Sequence, residues 1–194
     1  MSTFIVPPNK TLAIALGANK TSPVGLPITT LIHVRPLLEK IITEWSISSL
    51  KENIAIKSFS KDLRFRWSPL FATKPIGGPS NQADFINAVL VIDGPSMDLL
   101  DQSKKAILNL LKKTLLLEKE FGRDRTHSSI IWGPRSLDID LLAWGGLQVK
   151  HKDLILPHPR LIERSFVITP LAAILNSNQN SAPKRLKPQP GWYE

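Results

Sequence analysis

One run in the second half of the chain constrains the fold more than any other. Residues 132–142 have the sequence WGPRSLDIDLL, in which charged and apolar residues alternate after the Gly-Pro pair. Side chains two positions apart on a β-strand point to the same face. The alternation therefore predicts a strand that presents Asp138 and Asp140 together. The opposite face, directed into a core, carries the apolar set Leu137, Ile139 and Leu141.

The two carboxylates indicate chemistry as well as structure. Like charges side by side repel each other, and one of them stays protonated unless a cation lies between them. Mg²⁺ commonly binds through one or two carboxylates together with substrate phosphates. Arg135 lies three residues before Asp138 and can make a bidentate contact with a phosphate. The run thus predicts a site for metal, phosphate and nucleotide.

The composition is that of a single soluble domain. Of the 194 residues, 42% are apolar, and this length allows one domain with a substantial core. Apolar runs are all well short of the roughly 18 residues of a membrane span, and residues 1–10 lack the pattern of a signal peptide. The absence of cysteine excludes disulfides, thiolate metal ligands and thiol nucleophiles. We expect a cytoplasmic protein that makes no membrane contact.

The order of the elements predicts an α+β sandwich, with helices packed on one mainly antiparallel sheet. We expect strands at 11–17, 64–73 and 85–93, then a polar loop at 122–131 and an acidic strand that ends at Trp144. A turn at 145–146 and a short segment at 147–149 follow. We expect helices at 28–45, where Pro36 kinks or restarts the helix, from a cap at Ser96 to about 121–122, and within 160–175, interrupted near Pro170.

The domain is expected to occupy residues 11–175. The extensions at 1–10 and 176–194 are expected to be partly disordered, since the C-terminal one places basic residues among prolines. The Pro/Gly-rich loop at 74–80 suits a binding segment.

Several motifs, in order along the chain, resemble those of one enzyme family. The run at 132–142 closely resembles the defining motif of the 6-hydroxymethyl-7,8-dihydropterin pyrophosphokinases of the folate pathway. The other matching segments are ALGAN at 15–19, TKPIG at 73–77, DFIN at 84–87, Glu118 with FGRDR at 121–125, PHPR at 157–160 and RSF at 164–166. Together they cover roughly residues 11 to 175, and so many motifs in register make chance resemblance improbable.

The resemblance implies a ferredoxin-like α/β sandwich and an ATP-dependent diphosphokinase. Members transfer pyrophosphate from ATP to the pterin hydroxymethyl oxygen and release AMP, with two Mg²⁺ ions. It further implies small-molecule substrates rather than nucleic acid, and we expect a monomer.

The resemblance also implies a role for individual residues. The expected metal ligands are Asp138 and Asp140, with Arg123 and Arg135 as catalytic partners. The expected ATP-binding residues are Glu118, Arg123, Arg125, Trp132, Arg135, Leu141, His158 and Arg164. The expected pterin-binding residues are Thr73, Pro75, Ile76, Phe85, Asn87, Trp132, Asp138 and Phe166. In the family an aromatic pair, here Phe85 and Phe166, stacks on the pterin ring.

The chain departs from the family pattern at a few positions. Ile131 stands where a basic or other polar residue is usual. Leu115 stands where some relatives carry glutamine near the phosphates, and Asp153 and Ile155 differ from nucleotide-contacting residues in some members.

Two other functions compete with this interpretation. Nucleotidyltransferases of the polymerase-β type also have an Asp-x-Asp strand, but they open a helix from a glycine pair about ten residues earlier, and Gly133 lies only five residues before Asp138. A nucleic-acid-binding module would fit the formal net charge of +9. Such a module is expected to carry a basic-aromatic strand motif, and the predicted strands lack one.

Overall fold

The structure is built around a sheet whose strands come from both ends of the chain. This computed structural model describes residues 10–51, 63–123, 125, 132–161, 165–175 and 184–192. Its strands are β1 (Leu12–Ala18), β2 (Arg64–Trp67), β3 (Phe71–Thr73), β4 (Phe85–Asp93), β5 (Asp138–Trp144), β6 (Val149–His151), β7 (Leu154–Leu156) and β8 (Lys184–Arg185). In the part of the chain described, six strands form one sheet in the order β5-β1-β4-β3-β8, with β2 also paired to β4, while β6 and β7 form a hairpin.

Helices cover both faces of this sheet. The helices are α1 (Pro27–Ser48), α2 (Lys104–Glu120) and α3 (Ser165–Leu175). A large apolar core joins α1 and α2 to one face, and a smaller one joins α3 to the other face. Every pairing in the sheet is antiparallel. This arrangement confirms the predicted α+β, ferredoxin-like sandwich. No helix within the described ranges is both long and apolar enough to cross a membrane.

Strand β1 alternates large and small side chains, and this alternation positions the site. Its large residues Leu12, Ile14 and Leu16 are all buried in the core under α1 and α2. Its other face carries the small residues Ala13, Ala15 and Gly17. Because the strand lies between β4 and β5 in the middle of the sheet, the small face leaves open space between two rows of neighbouring side chains at its Ala15–Gly17 end. At Ala13 it packs against the core under α3.

Helix α1 continues through Pro36, which lies in the middle of the helix. Proline lacks the N–H that would bond four residues back, yet Val34 and Leu38 on either side of it are fully buried against the sheet. Packing of this apolar face holds the helix together across the proline, so it runs unbroken rather than restarting.

The start of the long helix was predicted too early. Ser96 lies in a separate 3₁₀ helix, Pro95–Leu99, and α2 begins only after Ser103, whose side chain accepts a hydrogen bond from the N–H of Ala106 (3.2 Å). Between them Leu100 is extended and pairs with Leu50. Ser103 therefore supplies the cap, and Leu99 and Leu100 lie outside the helix. Its end at Glu120 agrees with the prediction.

The predicted strand at 64–73 is two strands in the structure. Ser68 interrupts the ladder, because its hydroxyl accepts the N–H of Val89 (2.9 Å) in place of a backbone carbonyl. Pro69 follows and has no N–H to donate. Both β2 and β3 still pair with β4, so the expected position in the sheet is kept.

Three later features differ from expectation. The segment after residues 145–146 is a hairpin, β6–β7, rather than a single short stretch. Helix α3 continues through Pro170 without the predicted interruption. Residues 184–192, expected to be partly disordered, pack on the sheet: β8 pairs with β3, and Trp192 is buried against Trp67 at a centroid distance of 5.0 Å.

Candidate functional site

A cleft opens on the α3 side of the sheet, over the small face of β1. Gly17 forms its floor, pairing with Asn87 of β4 on one side and with Asp138 of β5 on the other. A Cβ atom added at Gly17 would lie 3.0 Å from the Asn87 side-chain oxygen. Ala15, the next small residue, lies opposite Asp140. The small residues thus separate an amide-bearing wall from a carboxylate-bearing wall.

Nine residues of the predicted site line this one cleft. They are Thr73, Pro75, Ile76, Phe85, Asn87, Trp132, Arg135, Asp138 and Asp140. They come from three separate stretches of sequence, and the antiparallel order β5-β1-β4-β3 brings these together.

Asp138 lies between two arginines. Arg123 Nη1 contacts its Oδ1 at 2.6 Å, and Arg135 Nη1 makes a short contact with its Oδ2. Arg123 also donates to the carbonyl of Leu137 (2.9 Å), which fixes the guanidinium at the start of β5. The two positive charges exceed the single negative charge of the carboxylate, whose side chain retains 17% exposure.

Glu118 is a buried carboxylate behind the cleft. Glu118 is 1% exposed. Its Oε1 accepts a hydrogen bond from the backbone N–H of Ile139 (2.7 Å), and its Oε2 accepts one from Nε of Arg125 (3.0 Å). Arg123 Nε lies 3.6 Å from the same oxygen. Burial raises the pKa of Glu118 above its usual value, and the positive charges of Arg123 and Arg125 oppose that rise. The residue therefore links the end of α2 to β5 and to both arginines.

The opposite wall offers polar groups beside an aromatic ring. Asn87 is buried, and its side-chain N–H donates to the Thr73 hydroxyl across the β3–β4 pair (2.8 Å). Phe85 lies two residues before it on the same face, with the Arg135 guanidinium 5.9 Å from its ring centroid. Ile76 is 65% exposed at the rim. A flat ligand with donors and acceptors along its edge matches this wall.

Asn19 is a structural member of the site to which the sequence analysis gave no role. Its side-chain oxygen accepts the N–H of Arg135 (2.8 Å), and its amide donates to the carbonyl of Ala83 (3.1 Å). Its backbone N–H also donates to the Arg135 carbonyl (3.0 Å). An asparagine directly after a buried strand was the available signal. It joins the loop before Asp84 to the segment that leads into β5.

The remaining residues of the predicted site either lie away from the cleft lining or fall outside the described residues. Leu141 is buried in the core on the far side of the sheet, so a nucleotide contact there would involve its main chain. His158 lies just after β7, where its N–H donates to the Leu142 carbonyl (2.7 Å). Arg164 and the Phe166 side chain fall outside the described residues, as does Ile131. Leu115 and Asp153 line a second groove, which lies between α2 and the β6–β7 hairpin.

The donor set of the cleft fits the hard cation expected from the sequence. Asp138 and Asp140 present carboxylates from alternate positions of β5, above the floor left by Gly17 and Ala15. Within the described ranges there is no group of three or more acidic, His or Cys side chains that could enclose a metal ion. Mg²⁺ needs no such cage, because it uses one or two carboxylates and completes its shell with phosphate and water.

Residues 13–176 match the model of the family described as 7,8-dihydro-6-hydroxymethylpterin-pyrophosphokinase. The chain belongs to this family. Among curated proteins named 2-amino-4-hydroxy-6-hydroxymethyldihydropteridine pyrophosphokinase, it is 36% identical to that of Bacillus subtilis over 118 residues, which is 59% of this chain and 61% of the relative.

Two further relatives with the same name give similar values. The protein of Methylorubrum extorquens is 39% identical over 100 residues, covering 52% of this chain and 56% of the relative. That of Haemophilus influenzae is 33% identical over 120 residues, covering 62% and 67% respectively. The aligned parts thus span between about half and two thirds of these pyrophosphokinases. The family match extends across the whole cleft, from β1 to α3.

Proposed function

We propose that this protein transfers pyrophosphate from ATP to the hydroxyl of 6-hydroxymethyl-7,8-dihydropterin, giving AMP and the pterin diphosphate, in folate biosynthesis. The observation that carries the proposal is the cleft itself. One wall holds carboxylates with arginines at Asp138, and the other holds the Asn87–Thr73 pair with Phe85. Among the residues that the structure describes, the backbone of β1 and its small side chains lie between the two walls.

The pterin would lie against the Asn87 wall. Asn87 both donates and accepts at an edge of heteroatoms, and the Phe85 ring offers a stacking surface. Pro75 and Ile76, together with Trp132, border the same space. We propose Phe166 as the second stacking ring, by its place in the family motif.

ATP would lie toward β5 and the end of α2. We propose that Asp138 and Asp140 hold two Mg²⁺ ions, which when bound neutralise phosphate charge and lower the pKa of the attacking hydroxyl. Arg123, Arg125 and Arg135 each lie within 4.0 Å of the Asp138 carboxylate. By family resemblance we add Glu118, Trp132, Leu141, His158 and Arg164 as nucleotide-binding residues.

The reaction is a displacement at the β-phosphorus of ATP. The pterin oxygen forms a bond to that phosphorus, the bond from it to the bridging oxygen of the α-phosphate breaks, and AMP leaves with the electron pair. Attacking and leaving oxygens must be nearly in line, and two substrates on facing walls of one cleft allow this. The arginines stabilise charge on the transferred group as the site excludes water. The hydroxyl proton passes to solvent.

We also propose that the protein acts on these small molecules as a monomer in the cytoplasm. The lack of cysteine in the sequence supports a reducing compartment. The domain carrying this activity is proposed to comprise residues 11–175, with 1–10 and 176–194 as extensions.

A product analysis tests the proposal. Protein, ATP, Mg²⁺ and the reduced pterin alcohol are mixed and the products identified by mass spectrometry, with AMP and pterin diphosphate expected in equal amounts. Omission of the pterin should abolish AMP release. ADP with a pterin monophosphate, or AMP formed at the same rate without pterin, would contradict the proposed transfer.

A further inference from the structure

Arg160 lines the cleft although no role was assigned to it from the sequence. It follows β7 in a stretch whose backbone is tied to the sheet through the N–H of His158. Its guanidinium lies over the Trp132 ring, 5.0 Å from the centroid. A cation at this distance from an indole ring makes a favourable cation–π contact.

The same indole ring also contacts the loop at 74–80. A Cβ added at Gly77 would lie 2.3 Å from Cε3 of Trp132, so the ring occupies the space that any larger side chain would need. The Trp132 carbonyl accepts a hydrogen bond from Gln82 Nε2 (2.9 Å). Trp132 itself has a φ of 58°, in the left-handed region, which costs energy for a bulky residue. Its contacts with Gly77, Gln82 and Arg160 hold it there.

Three segments meet at this ring: the loop at 74–80, the approach to β5 at Trp132, and the turn after β7 at Arg160. The first carries Pro75 and Ile76, which border the proposed pterin space. The position of Trp132 therefore sets how closely that loop covers the space.

We propose that Arg160 is a positioning residue, which acts through Trp132 to hold the loop at 74–80 over the pterin side of the cleft. The kinetic consequence rests on the proposed function, whereas the contact itself does not. Arginine suits this role because its planar guanidinium stacks on an aromatic face, whereas lysine offers only a point charge.

Fluorescence quenching tests the contact without any turnover. The sequence has five tryptophans, and Trp132 is 45% exposed while Trp45, Trp67, Trp144 and Trp192 are between 0% and 5% exposed. Acrylamide, which is uncharged, should therefore quench Trp132 preferentially. We expect Arg160→Gln to raise the quenching constant of the accessible tryptophan, and Arg160→Lys to fall between this variant and wild type.

Two controls define the signal. Trp132→Leu should remove the readily quenched component, and Arg160→Gln in that background should then change nothing. Arg64→Gln removes an exposed arginine paired with Asp93 at the opposite end of β4 and should leave quenching as in wild type. Equal quenching in Arg160→Gln and wild type would overturn the proposed contact.

Steady-state kinetics test the consequence for the proposed reaction. We expect Arg160→Gln to raise KM for the pterin about two- to fivefold, the equivalent of one exposed cation–π contact, with kcat nearly unchanged. In the Trp132→Leu background the same substitution should have no further effect. Two results would mean that Arg160 acts directly on a substrate rather than through Trp132. One is an equally large further rise in KM when Arg160→Gln is added to Trp132→Leu, and the other is a fall in kcat without a change in KM. If the protein proves to lack the proposed activity, the quenching result still decides the contact.

Discussion

At the scale of single residues, Asp138 is a carboxylate of the cleft with two arginine partners. Both of its oxygens contact arginine, one from the end of α2 and one from the approach to β5. A phosphate group arriving with a metal ion offers these guanidinium groups an alternative partner of higher charge. In the proposed reaction, Arg123 and Arg135 would therefore pass from Asp138 to the phosphates of ATP without either guanidinium being left buried and unpaired.

We predict that Asp138→Asn and Asp140→Asn each lower kcat by at least ~10²-fold, the scale of losing one preorganised charge-stabilising group. AMP release measures the effect. Asp98→Asn, an exposed aspartate in the 3₁₀ helix, is the matched control and should retain wild-type turnover. Near-normal AMP release by either cleft variant would be evidence against a role for the two carboxylates.

Glu118 gives a prediction about pH. Because burial raises its pKa, the folded state holds a proton to higher pH than the unfolded chain. Its contribution to the free energy of unfolding is fully present below the usual pKa of 4.5 and is lost as pH rises through the folded-state pKa. Glutamine at this position cannot titrate. In chemical denaturation measured at a series of pH values from below 4.5 upward, the free energy of unfolding of Glu118→Gln should therefore lack this decline. The same pH slope in wild type and variant would refute the assignment to Glu118.

At the scale of elements, helices with one buried face were the easiest to predict and their ends the hardest. The end of α2 was predicted well, since Gly122 follows its last turn and has a φ of +81°, which glycine adopts readily. Its start was predicted at Ser96, whereas the 3₁₀ helix Pro95–Leu99 and the pairing of Leu100 with Leu50 delay it until after Ser103. That contact joins distant parts of the chain and leaves no local signal.

The two helices that contain proline, α1 and α3, also depend on contacts between distant parts of the chain. Pro36 and Pro170 each remove one backbone hydrogen bond. The sequence alone predicts a kink or a restart at Pro36 and an interruption near Pro170, and both helices continue through the proline. Tertiary burial outweighs that loss: in α1 the flanking Val34 and Leu38 are fully buried. A local rule therefore fails where long-range packing supplies more stability than one hydrogen bond.

The C-terminal segment supplies a test at this scale. Trp192 packs edge-on against Trp67, and its Nε1 donates to the Ser68 carbonyl (2.9 Å). Trp192→Ala should lower the free energy of unfolding by about 3 kcal/mol, as for other buried aromatic truncations, and Trp192→Phe should lose less. Urea denaturation measures both. A change below about 0.5 kcal/mol, the usual range for surface positions, would mean that this segment is not docked in solution.

At the scale of the whole molecule, the sequence predicted the layers of the fold, whereas the cleft itself depends on the order of the strands in the sheet. The alternation in residues 138–141 and the small residues of β1 are local patterns that become a cleft only when β1 lies between β4 and β5. The contacts of Asn19 and of Arg160 depend on loops brought together by that order. Neither residue carries a periodic or charge-pair signal. The position of Asn19 directly after a buried strand is the one local hint, and the partners of both residues are known only from the folded arrangement.

The central claim is that Asp138 and Asp140 hold divalent ions bearing the nucleotide beside the pterin wall. Anomalous diffraction from crystals grown with Mn²⁺ and a non-hydrolysable ATP analogue measures this directly. The account predicts two manganese peaks within bonding distance of these carboxylate oxygens and of the analogue's phosphates. Manganese and phosphates bound elsewhere, with both carboxylates still paired only to protein groups, would contradict it.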